Sequence, residues 1–329
     1  MTSQAAVRLA REAMHTRFEL LLCGRDLVRL RAAGEEALDE VERIEARLSL
    51  FQPTSEIAHV NAYAAQRPVK VSPPTLALLQ HAARLHQLTQ GAFDPTLAPL
   101  LNAWGLLGAG GGQVPSEAQL AAARDCCGMG LVELNEREST VRFARAGVML
   151  DLGAIGKGHA VDEAVLLLRE AGISSALLHG GTSSVFALGS SLDGEPWRIA
   201  IEGPPTLVGE PREPVATLEL SDAALGVSAV WGKSFVSNGT TFGHVLDPRT
   251  GRPGQKAELA AVVMPDATSA DALSTALLVR GAEMLPVLQA RTPCLRAVVI
   301  SPEAGANRRV DSVGLPELPI STLRSRSGL

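Results

Sequence analysis

A few long stretches of this chain space their apolar residues like helices, and many short apolar runs sit between turn residues. Over 26–48, Leu30, Ala33, Ala37, Val41, Ile44 and Leu48 recur every three or four positions with charges between them, which predicts an amphipathic helix. A second helix is predicted over 76–88, after Pro73-Pro74, with Leu76, Leu79, Ala83 and His86 or Gln87 on one face. Gly91 ends it, and Phe93-Asp94-Pro95-Thr96 reads as a turn or helix entry. Further helices are predicted at 116–123, from about 157 to 171 with Gly172 as terminator, and at 268–280.

The short apolar runs predict strands at 18–23 (closed by Gly24), 131–134, 140–143, 148–151, 175–179, 184–188, 197–202, 216–220, 224–228, 259–264 and 295–300. Glycines at 108 and 110–112 mark a loop, and the proline-rich 203–214 another. Residues 1–12 and 321–329 read as flexible ends. Strands outnumber helices and often adjoin one another, which favours an α+β fold over a doubly wound sheet.

Composition narrows the function. With 329 residues and 46% apolar content, a sizeable core is available. A net charge of −5 and only eleven Phe, Trp and Tyr residues give no basic or stacking surface, so nucleic acid is not an expected partner. The four cysteines form neither a disulfide framework nor a metal spacing. No run is long enough to span a membrane. Leu20-Leu-Leu-Cys23 hints at a lipid-attachment site, but Arg17 and Glu19 interrupt it and Leu22 is too large, so it reads as a strand end. No signal peptide is evident, and a cytoplasmic location is the expectation.

Three segments carry candidate chemistry. In Asp151-Leu-Gly-Ala-Ile-Gly-Lys-Gly-His-Ala-Val-Asp162, glycines and Lys157 precede a helix, a composition that lets backbone amides and an ammonium approach a phosphate. The match to a Walker loop fails because Asp151 and Gly158 stand where Gly and Ser or Thr belong; the glycine order also fails the dinucleotide fingerprint. In the second segment, Asp271 and Thr275 lie four apart on one helix face with Ser274 beside them. Those oxygens suit a hard cation such as Mg²⁺; equally, Thr268-x-x-Asp271 is a capping box that needs no metal. In the third, His244 leads into the turn Asp247-Pro-Arg-Thr-Gly251, where Asp247 can accept backbone amides. His244 there is either a general base or a structural histidine at a strand end. His179-Gly-Gly-Thr182-Ser-Ser184 adds small residues and hydroxyls after a strand, fit either for a ligand or for a tight turn.

Taken in order, these segments resemble the ApbE-type flavin transferases, the FAD:protein FMN transferase family. The resemblance runs from about residue 13 to 280. It rests on Ala13-Met-His-Thr-Arg-Phe18, Arg47-Leu-Ser-Leu-Phe51 with Ser55-Glu-Ile and Asn61, and Gly91-Ala-Phe-Asp94-Pro-Thr96 with Trp104-Gly105. It continues through Asp151 to Asp162, Gly180-Gly181, His244 to Gly251 and Ala270 to Ala276. The resemblance implies a single domain over 1–329, an α+β roll of mixed or antiparallel sheets flanked by helices, with a ligand cleft between two intimately packed lobes.

It also implies a reaction: Mg²⁺-dependent (or Mn²⁺-dependent) cleavage of FAD as substrate, placing FMN on a threonine of an acceptor protein and releasing AMP. The carbonyl of Ala154, with Asp271, Ser274 and Thr275, would hold the metal. Met14, Phe51, Ala92, Phe93, Asp94, Asp151, Lys157 and Val245 would contact the flavin and phosphates, while His244 or Asp271 would serve the acceptor hydroxyl. His15 stands where the family commonly has glycine, and Thr182 where many members have glutamate. The rival readings are an FAD pyrophosphatase yielding FMN and AMP, and a protein that binds and delivers FAD without turning it over. A neighbouring acceptor with an Asp-Gly-x-Thr motif would favour transfer.

Overall fold

A computed structural model describes residues 5–108, 111–204, 214–231, 234–237, 239–303 and 307–315. The chain divides into two compact units, one made of 1–42, 157–229 and 256–329, the other of 43–156 and 230–255.

The first unit is built on one eight-stranded sheet: β1 Ala5–Ala13, β2 Thr16–Gly24, β3 Ala176–Gly180, β4 Ser184–Leu188, β5 Ala223–Ala229, β6 Leu259–Met264, β7 Arg296–Pro302 and β8 Arg308–Val313. Their order in the sheet is their order in the chain, and each neighbour is antiparallel. The open choice between mixed and antiparallel sheets thus resolves to antiparallel. Hairpin connections need only a few residues, so everything else in the molecule is inserted between strands of one meander.

The expected flexible end at 1–12 is corrected by β1, which pairs with β2 at nine positions. Val7 and Ala13 are buried, and Arg11 is held by Glu35, Asp39 and Glu42 of the helix Leu27–Leu48 at 3.1, 2.9 and 2.7 Å. An arginine on the inner face disguised the strand as a solvated segment. The tail 321–329 lies outside the described residues, as does most of the loop 203–214.

The long helix begins where expected: Asp26 Oδ1 accepts the amides of Val28 and Arg29, and Leu30, Ala37, Leu38, Val41, Ile44 and Leu48 are buried. Among the described residues three more α-helices lie in the first unit, Gly156–Glu170 (which starts one residue earlier than expected), Ala267–Arg280 and the short Leu285–Arg291. The second is buried around nearly its whole circumference. Its small residues permit that: a Cβ on Gly226 of β5 would lie 2.4 Å from the Ala270 carbonyl carbon, and one on Gly158 would lie 2.3 Å from the Ala267 oxygen.

The second unit carries the helices Glu56–Tyr63, Pro73–Leu88, Ala98–Ala103 and Glu117–Arg124, the last closed by a Ser116/Gln119 capping box. A small sheet joins Val69–Lys70, Thr140–Phe143 and Val132–Asn135. Two ribbons complete the unit, Ser234–Ser237 with Thr240–Gly243 and Leu246–Asp247 with Arg252–Pro253. The strand expected at 148–151 does not form. The Asn61 side chain instead donates to the Leu150 carbonyl (2.9 Å) and accepts its amide (2.7 Å), standing in for a neighbouring strand, and Asp151 N–H donates to the Pro95 carbonyl. Among the described residues no helix is long and apolar enough to cross a membrane.

Alanine at a helix interior ordinarily improves on glycine by about 1 kcal/mol. At Gly158 the new Cβ meets fixed backbone instead. Gly158→Ala is therefore expected to destabilise the chain by about 1–3 kcal/mol, read as a lower urea midpoint; an unchanged or raised midpoint would refute the close helix contact.

Candidate active site

The predicted residues divide between the two units, and each group is built by its own. In the first unit the helices Gly156–Glu170 and Ala267–Arg280 hold each other's N-termini. A helix start leaves amides without partners inside the helix. Asp162 of the first helix accepts from the amides of Ala267 (2.7 Å) and Thr268 (2.9 Å) and from the Thr268 hydroxyl (2.6 Å). Asp271 of the second accepts from the Gly158 amide at 2.8 Å. The true N-cap of the second helix is Asp266, which accepts the Ser269 amide at 2.7 Å. The capping-box reading of Thr268 and Asp271 is thereby corrected. Thr268 is turned to Asp162, and Asp271 is left to face the first turn of the neighbouring helix.

Asp271 is only 6% exposed. Besides Gly158, it accepts from the Ser184 hydroxyl, whose oxygen lies 2.9 and 2.8 Å from its two carboxylate oxygens. Burial pushes its pKa up to about 7, against the opposing pull of the nearby Lys157 ammonium and these hydrogen bonds. Burial raises Asp162 to about 6 in the same way, offset in part by the three groups it accepts from. One turn further along, Ser274 Oγ donates to the Asp271 carbonyl at 2.9 Å. Ser228 of β5 places its hydroxyl 2.8 Å from Ser274 Oγ and 3.3 Å from Thr275 Oγ1. The structure thus gathers Lys157, Asp271, Ser274 and Thr275, and adds Ser184, Ser228 and Asp162.

Of those additions, Ser184 stood in a hydroxyl-rich turn already marked as ligand-compatible, and Asp162 closed the glycine motif. Ser228 carried no sequence signal, because only the pairing of β5 beneath the helix brings it there. Met14 and His15 form the two-residue turn between β1 and β2, with φ of 52° and 58°. Both lie in the left-handed region such turns demand, which is why glycine suits the position that His15 fills.

In the second unit, Asp94 is buried and takes the amide and hydroxyl of Thr96 on one oxygen (2.8 and 2.5 Å). His86 Nδ1 lies 3.0 Å from the Phe93 carbonyl and 3.7 Å from the other Asp94 oxygen. Burial pushes the Asp94 carboxyl above its usual range despite Thr96 and His86. The side chains of Ala92 and Phe93 are themselves buried, so that turn presents Asp94 and backbone. Phe51 by contrast is half exposed (51%). Asp151 Oδ1 accepts the Gly153 amide at 2.8 Å, and Ala154 follows in the turn where Leu152 O accepts the amides of Ile155 and Gly156.

His244 and Val245 follow the ribbon strand Thr240–Gly243, and the Val245 carbonyl accepts the Gly254 amide. The turn behind them is fixed twice. Asp247 accepts the Arg249 amide and binds its guanidinium through both oxygens (3.0 and 2.7 Å). Trp104 Nε1 donates to the Gly251 carbonyl at 2.7 Å, so two separate sequence signals are one piece of structure. Among the described residues no three His, Cys, Asp or Glu side chains are arranged to hold a metal.

The fold built on this antiparallel meander has counterparts among solved proteins. A family model described as the ApbE family matches residues 14–299. The chain is similar to the FAD:protein FMN transferase of Vibrio cholerae serotype O1, with 32% identity over 245 residues, covering 74% of this chain and 72% of the relative. It is similar to that of Treponema pallidum at 31% over 293 residues, covering 85% and 80%. Among solved structures, the ApbE protein of Thermotoga maritima superposes with a TM-score of 0.82 at 27% identity, covering 90% of this chain and 94% of that one. The flavin transferase ApbE of Vibrio cholerae gives 0.81 at 27%, covering 94% and 98%. The chain belongs to the ApbE family.

Because both buried aspartates titrate above the ordinary 3.8, the folded state gains protons that the unfolded chain lacks between about pH 4 and 7. Their contribution to stability is full at low pH and is lost as pH rises through about 6 and 7. In EDTA, Asp271→Asn is expected to flatten this decline and to be the more stable form at pH 8, by up to on the order of 3 kcal/mol in urea unfolding. Parallel pH profiles for the two proteins would contradict the buried-charge assignment.

Proposed function

We propose that this chain transfers FMN from FAD to a threonine hydroxyl of an acceptor protein, releasing AMP, with Mg²⁺ or Mn²⁺ required. It is an enzyme that transfers an FMN group, as its named relatives are. The observation that carries the finer reading is the Asp271 cluster. A buried carboxylate, four hydroxyls and an ammonium are gathered at a helix start, where anions and their counter-cations are handled.

The cluster suits a divalent cation. Burial raises the Asp271 pKa to about 7, so much of the carboxyl is protonated at pH 7, and an adjacent cation would restore its charge. Ser274 and Thr275 contribute hard oxygen donors of the kind Mg²⁺ takes. Asp271, Ser274 and Thr275 would hold the ion, with the Ala154 carbonyl as the fourth donor implied by the family. Bound there, it would act as a Lewis acid and template for the pyrophosphate.

The chain's own residues do the rest. Lys157, one residue into its helix, offers fixed positive charge to a pyrophosphate from which AMP departs. Both Asp271 oxygens already accept hydrogen bonds from Ser184 or Gly158, which favours a holding role for this residue over a proton-accepting one. His244 is therefore the residue to take or orient the threonine proton, on a loop that Trp104 and Asp247 keep rigid. The exposed Phe51 ring offers a stacking surface, and Met14, Asp94, Asp151 and Val245 complete the proposed contacts.

The test incubates the chain with FAD, Mg²⁺ and an acceptor domain bearing an Asp-Gly-x-Thr motif, following fluorescent protein bands and AMP together. Labelled acceptor with matching AMP is expected, abolished by EDTA. AMP without label would replace transfer by hydrolysis; tight FAD binding without AMP would leave only delivery. His244→Ala is expected to lower transfer about 100-fold or more with FAD binding retained. Full transfer by this variant at neutral pH would remove His244 from the mechanism.

A further inference from the structure

The chain reaches His244 along a ribbon, Ser234–Ser237 paired with Thr240–Gly243 in the register Phe235↔Phe242 and Val236↔Thr241. One face is anchored. Phe235 and Phe242 stack with centroids 5.2 Å apart and meet the Trp104 ring at 6.3 and 5.4 Å. The opposite face carries Val236, which is 68% exposed. Among the described residues the ribbon has no third strand.

Its composition sets it apart. Residues 234–243 contain no charged side chain and no proline. Every other sheet among the described residues has charges on its strands, among them Arg8 and Glu12 on β1, Arg308 and Asp311 on β8, and Arg198 and Glu219 on the ribbon Trp197–Glu202 with Pro214–Leu220. Charges on an outer strand discourage another chain from adding to it. Among the described residues the one ribbon without them leads into His244. A two-stranded ribbon is marginal by itself; the Trp104 contacts hold this one in place, and among the described residues no other strand lies along its edges.

We propose that the outer edge of Thr240–Gly243 is the docking strand for the acceptor, which adds an extended segment alongside it and brings its hydroxyl residue to His244. This rests on the transferase reading above. Ser237 and Thr240 flank a two-residue connection and form the hydrogen-bonded pair that closes it, so alternation turns the amide and carbonyl of Thr241 outward. Main-chain pairing tolerates varied sequence around a modified residue, and the apolar Val236 face adds side-chain contact.

A fluorescein-labelled synthetic peptide with one threonine in an Asp-Gly-x-Thr context is titrated with the full chain, without FAD, and anisotropy is followed. Saturable binding is expected. It should weaken about tenfold or more in Thr241→Pro, which deletes the outward amide but none of the ribbon's own bonds, and in Val236→Lys, which installs the missing charge. Val236→Ile should bind as the parent does, and all three should bind FAD normally, which shows that they are folded. Unchanged peptide affinity in both disruptive variants overturns the proposal, as does a parent chain that fails to bind. So does a parent dimer that Val236→Lys converts to monomer, since the ribbon would then be a contact between copies. If peptide binding behaves as expected and no FMN is transferred, the docking strand stands and the transferase reading falls.

Discussion

The reciprocal capping of two helices is the constraint on which the first unit depends. Asp162 satisfies the first amides of Ala267–Arg280, and Asp271 satisfies an amide in the first turn of Gly156–Glu170. Neither bond can form unless the two helix starts come within van der Waals reach. Only a glycine at 158 permits that, because any Cβ there would overlap the Ala267 carbonyl. The arrangement places two carboxylates in a buried setting where ionisation is costly. They tolerate it because each is surrounded by donors, three groups around Asp162 and the Gly158 amide and Ser184 hydroxyl around Asp271.

That same constraint sets the chemistry available. A carboxylate lifted to about 7 is poised to gain from a nearby cation, and Lys157 in the adjoining turn is a partial answer already built into the chain. The hydroxyls of Ser228, Ser274 and Thr275 form a small connected group beside it. Such a group orders its own oxygens before any ligand arrives, which lowers the cost of assembling a binding site.

The second unit uses a different device, side chains that substitute for backbone. Asn61 gives the 148–151 segment the two hydrogen bonds a neighbouring strand would have given. Trp104 does the same for the Gly251 carbonyl while its ring supports Phe235 and Phe242. Loops that carry proposed site residues are thereby held by side chains rather than by a large sheet. His244 and Asp151 each follow directly from such a clamp.

Local signals in the chain determined a good deal. The long helix, the helix ended by Gly172, most strands of the meander and the Asp247 turn follow from periodicity, caps and turn chemistry, all of which act between near neighbours. The ordered motifs also determined the family. Tertiary structure decided what depends on distant pairing. It made β1 a strand, because Arg11 finds its three carboxylates on a helix some two dozen residues further on. It denied 148–151 a strand partner and supplied Asn61 instead. It moved the helix cap from Thr268 to Asp266, and it brought Ser184 and Ser228 to the Asp271 helix. Sequence spacing could place Asp271 and Thr275 on one face. Only the packing of that face against Gly158, Ser184 and Ser228 made it a buried cluster, because burial and hydrogen-bond partners belong to the fold and not to the helix alone.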